Sequence, residues 1–174
     1  MGGTLPGGLM STVVRLTKLL SLAAFSFCLS TTSAFAAEAS GHSHDNAGAP
    51  VKLSLDEGKK WASDEPLRKA MTNIRNAMEG SLHAIHEGKL SVTKYGALAK
   101  KVNGEVGYMV SNCKLEPKAD AQLHLIIAEI LEGVEAMEGK VKKLKRQDGA
   151  VRVIGALENY GTYFDDPSWK PIKH

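Results

Sequence analysis

Cysteine is nearly absent from this 174-residue chain: the two present are Cys28 and Cys113. Cys28 lies inside an N-terminal apolar run, so if that run is removed, Cys113 stands alone. No disulfide can then form within the chain, and stability has to come from an apolar core. Aromatic residues make up only 6% of the sequence, and no basic arm is interleaved with them, which argues against nucleic acid as a partner. No apolar run reaches the roughly 20 residues of a membrane-spanning helix. No stretch alternates apolar and polar residues as a half-buried strand does.

The N-terminus has the parts of an export signal. Arg15 and Lys18 supply a positive region, Leu19 to Leu29 an apolar run, and Ala34-Phe35-Ala36 a small-x-small cleavage pattern. Met10 offers an alternative start to Met1. The expected division is a secretory signal over 1–36, a histidine-containing disordered leader over 37–50 and a single domain over 51–174. The chain is therefore expected in the periplasm or secreted, without a transmembrane anchor after processing. Removing Arg15 and Lys18 leaves 20 basic and 19 acidic residues, so the working protein is close to neutral.

What is abundant is helical periodicity. Residues 65–87 place Leu67, Met71, Ile74, Met78, Leu82 and Ile85 on one stripe. Residues 91–113 line up Tyr95, Leu98, Val102, Val106, Met109, Val110 and Cys113. Residues 117–146 carry Leu123, Ile127, Ile130, Val134, Met137, Val141 and Leu144 at four- and three-residue spacing. Residues 150–164 present Val153, Ile154, Leu157, Tyr160, Gly161 and Phe164. Breaks are expected at Gly88, at Lys114 to Pro117 and at Asp148-Gly149. Ser54-Leu55-Asp56-Glu57 fits a capping box that would open a short helix carrying Trp61. The expected fold is all-α: an up-down-up-down four-helix bundle with a short extra N-terminal helix, its short links favouring antiparallel neighbours. Residues 164–169 are expected to fold back over one end, and Gly161 to leave room for packing.

That topology groups the chemistry. Cys113 ends the second segment, and Asp120 and His124 open the third, one turn apart. The expected metal site has Cys113 and His124 as ligands, with Asp120 orienting the imidazole. Cysteine, histidine and methionine suit Cu(I); cysteine and histidine with a carboxylate suit Zn(II). The blander reading is a rim histidine and a small buried thiol. His83 and His86, with Glu79 a turn earlier, are a weaker surface pair, of which His86 is the candidate ligand. In the leader, His42 would become a Cu(II) or Ni(II) ligand if processing exposed Ser40-Gly41-His42. A Cys–His nucleophile has no evident oxyanion hole, so the protein is read as a non-enzyme.

The stretch Asn112-Cys113-Lys114-Leu115-Glu116-Pro117-Lys118-Ala119-Asp120-Ala121-Gln122-Leu123-His124, with Trp61 to Leu67 and Tyr160 to Trp169, resembles a group of small exported proteobacterial helical proteins. That resemblance implies export and a helical fold and no particular activity. The architecture is also similar to the cytochrome b562 and c′ bundles, but there is no Cys-x-x-Cys-His and no histidine in the fourth segment. Three functional classes follow: a copper- or zinc-binding envelope protein, an interaction module docking on an envelope partner, and a non-covalent haem or redox protein.

Overall fold

The computed structural model describes residues 52–173. The expected signal, leader and His42 lie outside the described residues. Within them the protein is all-α, with five helices and two two-residue strands: β1 Trp61–Ala62, α1 Glu65–Glu79, α2 Leu82–His86, α3 Val92–Asn112, α4 Pro117–Glu138, α5 Arg146–Tyr163 and β2 Phe164–Asp165.

Helix starts follow local chemistry. The Asp64 carboxylate accepts from the Leu67 amide at 2.9 Å, with Pro66 in the first turn of α1. Ser91 accepts from Lys94 at the start of α3. Pro117 opens α4. The Lys145 amide donates to Asp148 at the start of α5.

The structure corrects four boundaries. Residues 65–87 are not one helix: the chain tightens at Gly80 and Ser81, whose amides bond to Asn76 and Met78, and α2 begins afresh. The third segment ends at Glu138, not Arg146, because Gly139 turns left-handed at φ 78° and closes the helix. The spacing that continued to Val141 and Leu144 is therefore not helical, and Leu144 is exposed. Asp148-Gly149 is no break but the first turn of α5. Finally, no helix forms at Ser54 to Glu57. Glu57 and Gly58 take φ values of 50° and 86° in a tight reversal bridged by Asp56 and Lys59. The short extra helix is α2, not an N-terminal one. Trp61 instead lies in β1, which pairs in parallel with β2 in the register Trp61 to Phe164 and Ala62 to Asp165.

The core is where the stripes put it. Leu67, Met71, Ile74, Met78 and Ile85 are fully buried, as are Met109, Ile130, Met137, Val153, Leu157 and Tyr160. Val110 is the exception among the stripe residues of α3, at 69% exposed. α1 packs on α3 and α5, and α4 on α3 and α5. The tightest approach joins α4 to α5. A Cβ on Gly133 would sit 2.7 Å from both the Gly149 carbonyl oxygen and Val153 Cγ2, and one on Gly149 would sit 2.7 Å from the Met137 amide nitrogen. The two backbones touch because neither residue carries a side chain.

The C-terminal residues pack on the end of α5. Tyr160 donates its hydroxyl proton to Asp166 Oδ2 at 3.0 Å, and Asp166 Oδ1 accepts from the Ser168 amide and hydroxyl. The Trp169 ring meets Tyr160 edge-on at 4.8 Å and occupies the space that Gly161 leaves open. Among the described residues, no helix is long and apolar enough to cross a membrane.

Alanine at Gly133 or Gly149 should destabilise the protein by about 1–3 kcal/mol, despite alanine's better helix propensity, because the clash is with backbone. Alanine at Gly104, which has open space around it, should stabilise by about 0.5–1 kcal/mol. Urea denaturation of the three variants measures the contrast in sign.

Candidate functional site

Cys113 caps the C-terminus of α3 in an extended conformation, its amide bonded to the Met109 carbonyl at 2.9 Å. Pro117 ends the short link and starts α4, so Asp120 falls in the first turn and His124 one turn later. Met109, Cys113, Asp120 and His124 then line one cavity of about 200 Å³, together with Val110, Leu123 and Ile127. The expected grouping of thiol, imidazole and carboxylate is present. Met109, fully buried and part of the lining, is a soft donor that its place on an ordinary apolar stripe did not single out.

The imidazole is held by the helix it stands on. His124 Nδ1 lies 2.9 Å from the Asp120 carbonyl oxygen and 3.4 Å from its carboxylate Oδ2. The expected carboxylate contact is therefore secondary to the backbone one. A carbonyl can only accept, so Nδ1 carries hydrogen. In the neutral ring this leaves Nε2 with its lone pair available to an ion. The side chain is 65% exposed, so solvent and solutes reach it.

The thiol has a neighbour that sequence spacing did not bring to it. Asp64 accepts from Leu67 through Oδ1 and from the Lys114 amide through Oδ2, at 2.7 Å. This pins the α3–α4 link to the start of α1 and sets a carboxylate beside Cys113. Burial, the Asp64 charge, a hydrogen bond to Asp64 and the Asp120 charge together push the Cys113 thiol up to about 12. At neutral pH it is protonated, which makes it a poor nucleophile and requires any metal ion to displace a proton. The signal that could have found it is Asp64 standing two residues before Pro66 at a helix start, where a capping carboxylate keeps a second oxygen to spare.

His83 and His86 are arranged differently from expectation. His83 Nε2 pairs with Glu87 Oε2 at 3.3 Å, while Glu79 pairs with Arg75 at 2.8 Å. The break at Gly80 takes Glu79 out of the His83 helix. His86 is exposed at the end of α2. Among the described residues, no group of three or more His, Cys, Asp or Glu side chains is placed to hold a metal ion, so a four-donor zinc set of those residues is not assembled. Comparison with protein-family models, curated proteins and solved structures gives no match to this chain.

A thiol raised from about 9 to about 12 favours the folded state fully below pH 9, and that contribution is lost as pH rises from 9 through 12. The stability difference between the native protein and Cys113→Ala should therefore be flat from pH 6 to 8.5 and shift against the native protein above pH 9. Chemical denaturation across that range measures it. Alkylation of Cys113 by iodoacetamide at pH 8 should be at least about tenfold slower than in the urea-unfolded chain, since only the thiolate reacts.

Proposed function

We propose that this is an exported, non-enzymatic helical protein of the cell envelope that holds a soft metal ion, Cu(I), between Cys113 and His124. Export rests on the signal-like features of residues 15–36. For the architecture, we read α1, α3, α4 and α5 as an up-down-up-down bundle. The short α3–α4 and α4–α5 links and the mutual packing of the four helices support that reading.

One observation carries the metal assignment: Cys113, His124 and Met109 line a single small cavity. Thiolate, imidazole and thioether form the soft donor set that Cu(I) prefers. Zn(II) ranks behind, because it calls for four closed donors in a structural site. His124 contributes Nε2, with its ring fixed through Nδ1 by the Asp120 carbonyl. Asp120 adds negative charge close to the ion. Burial, with the Asp64 carboxylate beside it, keeps the proton on Cys113 until an ion displaces it, which sets a threshold against weakly bound, adventitious ions.

Anaerobic competition with a colorimetric Cu(I) chelator tests the reading. The native protein should bind one equivalent, and Cys113→Ala and His124→Ala should each weaken binding by at least about tenfold. Affinity should rise about tenfold per pH unit between pH 6 and 8, as expected when one thiol proton is released on binding. Unchanged affinity in both variants removes the site.

A further inference from the structure

Two surface depressions away from the Cys113 cavity carry opposite charge. The first lies where the end of α1 and α2 meet the start of α3. It measures about 420 Å³, and Ala77, Gly80, Ala84 and Ala97 give it a small, apolar lining. Lys94 and Lys101 also line it, and no acidic residue does. Both lysines are exposed on α3, seven residues or about 10.5 Å apart along one face.

The second depression lies on the outer surface of α4 and α5 and measures about 510 Å³. Glu129, Asp148 and Glu158 line it, with Val151 and Gly155 between the acids of α5. Its one cation, Arg152, is already paired with Glu132. Val151 is 52% exposed, an apolar β-branched side chain facing solvent among carboxylates. Because α1 packs on α3 and α5, and α4 on α3 and α5, the outer surface shared by α1 and α3 points away from that shared by α4 and α5.

We propose that the Lys94–Lys101 depression of one copy receives the α5 face around Val151 of a second copy, so that the protein associates head to tail with itself. The match has three parts. Val151 projects where the alanine and glycine lining leaves room for a side chain. The two lysines meet an acidic face, which steers approach and sets register. On α3 the charges of Lys94 and Lys101 flank Ala97 and Leu98, and on α5 those of Asp148 and Glu158 flank Val151 and Gly155, with Arg152 between them paired to Glu132. Since the two surfaces differ and point apart, the contact does not close on itself as a two-fold dimer. It repeats, giving a ring if the rotation closes and a filament if it does not. One helix face in one shallow groove is small beside the roughly 800 Å² per partner of a stable interface, so the association is weak and salt-sensitive.

Sedimentation velocity on the purified full chain, over a concentration series at low and high salt, tests this. The sedimentation coefficient should rise with concentration, and the rise should shrink by about tenfold in apparent affinity from 50 to 300 mM salt. Lys94→Glu with Lys101→Glu should be monomeric, and so should Glu129→Lys with Glu158→Lys. An equimolar mixture of the two charge-reversed proteins should associate again, the two alternating, because each one's groove then meets an oppositely charged face on the other. Far-UV circular dichroism should show each variant folded; should either lose its helix signal, the glutamine versions at the same positions replace it, with loss of self-association expected in each. A native protein monomeric throughout the series, association unaffected by either variant, or a mixture that stays monomeric would overturn the proposal.

Discussion

The contact between Gly133 and Gly149 is the constraint to which the other helices conform. Two helix backbones meet there, each filling the space the other's missing side chain vacates. Such an approach multiplies dispersion contacts along the flanking residues, because Ala136, Met137 and Val153 close in on both sides. It also fixes α4 against α5 at one register, since a shift along either axis would drive a side chain into backbone. With that pair set, α1 and α3 pack alongside it and bury their methionine- and leucine-rich stripes.

Asp64 then links the helical core to the candidate site. Its carboxylate caps α1 and takes the Lys114 amide from the α3–α4 link, 50 residues away in sequence but adjacent in space. The same two oxygens that satisfy backbone donors also hold negative charge beside the thiol. Fold and chemistry therefore share one residue. The pole that carries Cys113, Asp120 and His124 is fastened by a group that, after burial, does most to raise the Cys113 thiol. At the end of α5, Asp166 plays a comparable structural part, gathering Tyr160 and Ser168 beneath the Trp169 ring.

Much of the helix content was legible because burial imposes a period. Leu67, Met71, Ile74 and Met78 recur at three- and four-residue spacing and are all buried. Where the period misled, a local event intervened that spacing does not encode. Val141 and Leu144 continued the pattern, yet the left-handed Gly139 had already ended the helix. Ser54 to Glu57 had the letters of a capping box, but the Glu57-Gly58 reversal sent the chain into β1, where Phe164 and Asp165 supply the pairing. At the site, Cys113, Asp120 and His124 were legible as neighbours because only a short link and one helical turn separate them. Met109 and Asp64 were not: one sits on an unremarkable apolar stripe, and the other reaches the thiol only through packing of α1 against the α3–α4 link.

The sequence by itself determined that the described domain is helical, which faces of its segments are buried and that thiol and imidazole lie close along the chain. These follow from hydrophobic periodicity and short-range geometry, which depend on neighbours a few residues apart. Tertiary structure alone decided which glycines are contact surfaces and which are merely exposed. It also decided that a backbone carbonyl orients His124, and that burial and a carboxylate distant in sequence together raise the Cys113 thiol. Those outcomes depend on which atoms meet across helices, and the energy of such a meeting is written in no single segment.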